Sequence, residues 1–346
     1  MRVLVTEKIN DAGLQGLRDA GHEVDVKLGL SVDELNSEIK GAHALIIRSD
    51  TQVTAELLDH ADVLKAVGRA GVGVDNIDAQ AATARGVMVI NAPTSNITSA
   101  AEHAVALMFA LARKIPNAHR DLIDGQWNRS KYSGVEISGK KIGIVGLGHV
   151  GAIVAKQLSG FDAELLAYDP YVTPERAEKM GVTLCATIED LFASSDIVTV
   201  HLPKTPETLN LINTEVLKNA KPHLLLINAA RGGIVNEDDL AAALKDGVIA
   251  GAGLDVYSKE PMTDSPLFDD SLNVVVTPHL GASTTEAQER AGFDIGEQVL
   301  LALADDFVPF ALNLQAKGAN AIVAPFISVA QVCGRIAAGL TNSAIS

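Results

Sequence analysis

The sequence predicts an α/β protein built from two doubly wound domains, each a parallel sheet covered by helices. Three observations predict it. Short apolar strand patterns alternate with amphipathic helical stretches from the first residue onward, as in a parallel sheet with helices on its faces. The glycine pattern Gly146-Leu147-Gly148-His149-Val150-Gly151 stands between a strand pattern and a helix pattern. The chain has 346 residues, too many for one ordinary core and suited to two domains of ~100–200 residues each.

The first strand series is Val3–Val5, Val24–Val26, Ala44–Ile47, Leu64–Val67 and Val87–Ile90. Helix patterns such as Asn10–Ala20 and Ser31–Lys40 lie between these runs. A long helix is expected from Ser99 to about Ile123. Asn96–Ser99 offer N-caps, Glu102 is placed in the first turn, and the apolar run Ala104–Leu111 follows. A polar, irregular segment, Asp124–Tyr132, then carries the only tryptophan, Trp127. A lone Trp in such a loop is either a local lid or an anchor in a subunit interface. The second strand series is Ile142–Val145, Glu164–Ala167, Ile197–Val200, Leu224–Ile227, Gly251–Leu254 and Val274–Val276. A last helix, Ser283–Ala304, would return the chain to the first half. The expected division is 1–98 with 284–313 as a discontinuous substrate-binding domain, 99–283 as a dinucleotide-binding domain, and 314–346 as the start of a truncated extension. An active-site cleft is expected between the two domains.

Hydrophobic residues make up 47% of the chain and aromatic ones only 4%. The cores must therefore be Val, Ile, Leu and Ala, the usual filling of buried parallel strands. The net charge of −15 argues against nucleic acid or an anionic membrane as partner, since both need a basic face. Cys185 and Cys333 are far apart and form neither a metal spacing nor a disulfide framework. The N-terminus reads as a strand rather than a signal peptide, and no apolar run approaches ~20 residues. A cytoplasmic location is expected.

The glycine pattern has the strand-to-helix context that a Rossmann-like dinucleotide site requires. Gly146 would permit the tight turn, Gly148 would admit a pyrophosphate, and Gly151 would let helix and strand pack closely. Asp169 stands at the end of the next strand, where a carboxylate accepts hydrogen bonds from the adenosine ribose and repels a 2′-phosphate. NAD is therefore expected over NADP. Three residues follow successive strand ends: Arg231, Glu260 and His279. Open α/β sheets bind ligands at such ends. Oxidising a 2-hydroxy acid needs a base for the hydroxyl proton, and an imidazole serves near neutral pH. A neighbouring carboxylate would orient it. An arginine can bind the substrate carboxylate through two parallel bonds. Arg48 and Arg69 fall at strand ends in the first half. Arg69 precedes Gly71-Val72-Gly73, whose N–H groups could face an anion. Surface ion pairs are the equally weighted alternative for these two arginines.

These motifs together resemble the D-isomer-specific 2-hydroxyacid dehydrogenase family over essentially residues 1–313. The matching stretches are Gly68–Asp78, Asn91–His103, the glycine turn, His201-Leu202-Pro203, Asn228–Gly233, Gly253–Pro261 and Pro278–Thr284. The resemblance implies that Arg231, Glu260 and His279 form the catalytic set, and that Asp255 contacts the nicotinamide carboxamide. It also places His149, Val150, His201 and Pro203 at the cofactor, along with Ala229, Ala230 and Gly281. Arg48-Ser49, Arg69 and the Trp127/Arg129 segment match the branch that acts on 3-phosphoglycerate. For that branch the resemblance implies a homodimer or homotetramer, with Trp127 in the interface and Arg129 reaching a neighbouring subunit's site. His149-Val150 stands where many relatives carry Arg-Ile, and Val72 where some carry Thr. The tail from Val323 resembles the start of the extra domain of long-form members.

The expected function is hydride transfer between NAD and a small anionic D-2-hydroxy acid, with 3-phosphoglycerate favoured by the surplus of arginines. The alternatives are a glyoxylate/hydroxypyruvate or D-lactate-type reductase, and a corepressor-like protein that senses NAD.

Overall fold

The computed structural model describes residues 1–313 together with 329, 332 and 333. The chain forms two compact units, Met1–Ser95 with the chain from Gln288 onward, and Asn96–Ala287. The extension expected over 314–346 lies outside the described residues, apart from those three positions.

The first unit holds five strands: β1 (Arg2–Val5), β2 (Glu23–Val26), β3 (Ala44–Ile47), β4 (Ala66–Arg69) and β5 (Met88–Ile90). They form one parallel sheet in the order β2-β1-β3-β4-β5. β3 is apolar at every position and wholly buried, as a strand covered on both faces must be. The winding reverses between β1 and β3. The fourth strand begins two residues later than expected, so that Arg69 is its last residue. The helices between strands start on side-chain caps: Asn10, Ser31, Thr54 and Asp78 each accept a backbone N–H from the first turn. Helix Thr285–Leu303 closes this unit. A Cβ on Gly296 would stand 1.9 Å from the Gly13 carbonyl oxygen, and one on Gly13 would stand 2.3 Å from Gly292. Only glycine allows these two helices to touch backbone to backbone.

The second unit holds seven strands: β6 (Lys141–Val145), β7 (Glu164–Tyr168), β8 (Val182–Leu184), β9 (Ile197–Val200), β10 (Leu225–Asn228), β11 (Gly251–Leu254) and β12 (Val274–Val276). The sheet is parallel, in the order β12-β11-β10-β9-β6-β7-β8. Counted within the unit this is the dinucleotide-binding order 3-2-1-4-5-6 with one strand added, and it reverses between β6 and β9. β8 escaped the sequence reading because it has three residues and only Val182 is buried. The single long helix expected from Ser99 is two helices. Ile97–Ala112 ends at Arg113, Lys114 turns left-handed at φ 55°, and Ile115–Ile123 restarts with Pro116 in its first turn. Since the first of these starts at Ile97, Glu102 falls in its second turn. Cys185 and Cys333 are free thiols. No helix among the described residues is long and apolar enough to cross a membrane.

Candidate active site

Gly146 follows β6 with φ 93°, and its N–H donates to Tyr168 O at 2.9 Å. A Cβ there would stand 2.7 Å from His201 O, the first residue past β9. The glycine turn and the His201 loop therefore meet where the sheet reverses. A Cβ on Gly151 would stand 2.0 Å from Gly146 O, whereas one on Gly148 would meet nothing within 4 Å. Helix His149–Leu158 starts at Gly148 with no side-chain cap. Asp169 takes the Leu147 N–H on Oδ2 (2.8 Å) and the Tyr171 N–H on Oδ1 (2.9 Å). Each oxygen keeps a further lone pair.

His279 and Glu260 meet. Nδ1 of His279 lies 2.6 Å from Oε2 of Glu260. Oε1 of Glu260 also accepts the Tyr257 N–H at 2.9 Å. Partial burial would raise the Glu260 carboxyl, but the bonds from His279 and Tyr257 outweigh it and hold the group below its ordinary range. An ionised carboxylate only accepts, so Nδ1 carries the proton. Nε2 of His279 makes no hydrogen bond among the described residues, and the side chain is 44% exposed. His279 sits at φ 55°, which costs a side-chain-bearing residue ~1–2 kcal/mol. Its N–H donates to Asp255 O at 2.8 Å, and this bond anchors the turn.

Arg231 lies on the loop after β10 and does not touch that pair. Its Nη1 donates to Ala230 O at 2.7 Å. The loops are nonetheless tight neighbours, because a Cβ on Gly232 would stand 1.7 Å from Tyr257 O. Asn228, buried at the end of β10, shapes this loop: its Nδ2 donates to Arg231 O and its Oδ1 accepts the Ala230 N–H, both at 3.1 Å. In sequence Asn228 is only a member of the Asn228–Gly233 stretch, and nothing local marks this role.

Asp255 lies under the turn that carries His279. Its side chain has no exposed surface. Oδ1 accepts the Thr277 hydroxyl (2.6 Å) and the Leu280 N–H (2.7 Å), and Oδ2 accepts the Gly281 N–H (2.8 Å). Nε2 of His103 lies 3.1 Å from Oδ1. Burial would raise this carboxyl, but His103, Thr277 and Leu280 hold it low. The carboxylate is thus buried and holds the Thr277–Gly281 turn, with Oδ2 accepting one of these bonds. His103 and Thr277 were missed as supports of that turn. His103 ends the quoted stretch Asn91–His103, but only the fold brings it to Asp255.

In the first unit, Arg69 Nε donates to Asn76 Oδ1 at 3.1 Å. The Gly71 N–H is turned inward onto Arg69 O at 2.8 Å. Gly71 thus has no N–H to offer an anion, contrary to expectation. Asn91 Nδ2 fastens the turn through Val72 O at 2.7 Å. In the second unit, Arg129 opens a short 3-10 helix, Arg129–Tyr132, and Trp127 beside it is 76% exposed.

Residues 105–281 match the family model described as D-isomer specific 2-hydroxyacid dehydrogenase, NAD binding domain. The chain belongs to this family. It is 50% identical over 342 residues to D-3-phosphoglycerate dehydrogenase of Mycobacterium tuberculosis, covering 98% of this chain and 64% of that one. The chain thus spans a little under two thirds of the length of that relative. Among solved structures it is similar to a protein from Thermus thermophilus (34% identity, TM-score 0.81, covering 90% of this chain and 100% of that one). It is also similar to NAD-dependent formate dehydrogenase of Staphylococcus aureus in complex with NAD (30% identity, TM-score 0.79, covering 91% and 99%).

The second unit is the NAD-binding part of this dehydrogenase family, and its residues fit that cofactor. The free space beside the Gly148 Cα and the uncapped N-terminus of helix His149–Leu158 suit a pyrophosphate. The Asp169 carboxylate keeps acceptor capacity for ribose hydroxyls. His201 adds no positive charge at neutral pH, because burial pushes its imidazole down to about 4. It stays neutral and pairs with the Thr199 hydroxyl at 2.9 Å.

Proposed function

We propose that the protein is a cytoplasmic NAD-dependent dehydrogenase that oxidises 3-phospho-D-glycerate to 3-phosphohydroxypyruvate, the entry step of serine synthesis. The observation that carries this reading is the His279–Glu260 pair at 2.6 Å, on loops that follow neighbouring strands of an NAD-binding sheet. The similarity to D-3-phosphoglycerate dehydrogenases over 98% of the chain supports the choice of substrate.

Bound NAD supplies the hydride acceptor. Nε2 of His279 takes the hydroxyl proton as the C2 hydrogen leaves with its electron pair, and the C2–O bond becomes a carbonyl. Glu260 keeps the other ring proton on Nδ1 and offsets the imidazolium charge that develops. Arg231 exchanges its bond to Ala230 O for the substrate carboxylate and polarises the C2 oxygen. Asp169 opposes a 2′-phosphate and so selects NAD over NADP. Arg48 and Arg69 receive the phosphate, aided by the Val72–Gly73 turn.

A homodimer or larger assembly belongs to the same reading. Helix Ile115–Ile123 buries none of its residues, yet it exposes Ile115, Leu122 and Ile123, with Trp127 just beyond. An apolar patch of this kind on a net-acidic protein is suited to a second copy of the chain. Within such an assembly Arg129 is assigned to the neighbouring subunit's substrate.

The experiment is a steady-state assay of this chain with NAD or NADP against 3-phosphoglycerate, D-glycerate and D-lactate, and in the reducing direction against glyoxylate and hydroxypyruvate. The highest kcat/KM is expected for 3-phosphoglycerate with NAD. A better rate with an unphosphorylated acid overturns the substrate. NAD binding without turnover of any acid favours a sensing role.

A further inference from the structure

Arg48 opens the loop after β3 and Arg69 ends β4, and one side chain holds the backbone of the first and the guanidinium of the second. Asn76 Nδ2 donates to the carbonyl oxygens of Arg48 (2.8 Å) and Thr51 (2.6 Å), while its Oδ1 accepts from Arg69 Nε (3.1 Å). From the end of β1, Glu7 grips the same loop by its N–H groups. Oε1 of Glu7 accepts from Arg48 (2.8 Å) and Thr51 (3.0 Å), and Oε2 accepts from Asp50 (3.2 Å). The loop after β3 is thus fixed through its N–H groups by a carboxylate and through its carbonyls by an amide. A Cβ on Gly71 would stand 2.6 Å from Arg69 Nη1, so the guanidinium lies over a bare Cα of its own turn.

We propose that Asn76 is a positioning residue for substrate specificity, which presets the Arg48 loop and the Arg69 guanidinium as one receptor for the phosphate of a phosphorylated 2-hydroxy acid. This rests on the phosphoglycerate reading above. The chemistry requires an amide. Two carbonyls must be met by donors and a guanidinium by an acceptor, and no carboxylate, hydroxyl or aliphatic side chain of that length supplies both. Anchoring Nε fixes the plane of the guanidinium, and a free arginine side chain forfeits up to ~2 kcal/mol of rotamer entropy when it is immobilised. Meeting that cost within the fold leaves the anion less to order on binding.

The test compares Asn76→Ala, Asn76→Asp and Arg69→Ala in the full chain, with 3-phosphoglycerate and D-glycerate as substrates. Asn76→Ala is expected to raise KM for 3-phosphoglycerate by ~10- to 100-fold. Its kcat should stay within about twofold, and its kcat/KM for D-glycerate and its NAD affinity within about threefold. A residue that only supported the fold would lower both substrates together. Asn76→Asp keeps the side-chain volume but turns an oxygen toward two carbonyls, and it reports the same differential if the alanine variant does not fold. If the Asn76 variants treat both substrates alike while Arg69→Ala penalises only 3-phosphoglycerate, the positioning role falls and the substrate reading stands. If Arg69→Ala itself penalises both substrates equally, the phosphate reading falls and this proposal with it.

Discussion

His201 combines two demands in one side chain. It follows β9 and packs its carbonyl against Gly146, and burial pushes its imidazole to about 4. In the unfolded chain the same group titrates near 6.5. Between these values the unfolded chain binds more protons than the native protein, so stability is complete above pH 6.5 and is lost as pH falls toward 4. The loss from His201 alone is about 3 kcal/mol at the most. His22, also pushed down by burial, adds to it. Urea unfolding at pH 7.5 and pH 5 should show lower stability at pH 5, and His201→Gln should flatten that difference. Equal stability of the wild type at both values would mean that the His201 ring is not held neutral. In sequence His201 was legible only as a motif member. Its neutrality comes from burial, which depends on the folded surroundings and which no local pattern reports.

At the scale of elements, the glycine turn was legible because its chemistry is local: strand, three glycines and helix are contiguous. The break at Lys114 was not recovered, because the apolar pattern runs through it and only Pro116 hinted at a restart. That break creates helix Ile115–Ile123, which buries none of its own residues. If this helix covers its apolar face with a second copy, the wild type sediments as a dimer or larger. Joint replacement of Leu122, Ile123 and Trp127 by Ser should then shift it toward monomer with little loss of unit stability, since these side chains are exposed. A wild type that sediments as a fully active monomer contradicts the assignment. The strand ends carrying Arg231, Glu260 and His279 were readable from order alone. The Asp255 turn was not, because its ligands come from His103, Thr277, Leu280 and Gly281, at separations no local pattern reports.

For the whole molecule, two doubly wound sheets of different order share one chain, and the alternation of apolar runs announced both. What it did not announce is the chain of supports behind each side chain proposed to function: Glu7 and Asn76 behind the arginines of the first unit, Asp255 and Asn228 behind His279 and Arg231 in the second. These supports are polar residues whose partners the fold supplies. On the proposed reading the NAD-binding unit carries a proton-transferring imidazole fixed by Glu260. The most direct measurement is His279→Ala, followed by NAD binding and by turnover of 3-phosphoglycerate on the same preparation. NAD affinity should stay within about threefold, while kcat falls by ~10²- to 10⁴-fold, the usual contribution of a general acid–base. Turnover near that of the wild type, with NAD still bound, would remove His279 from the chemistry.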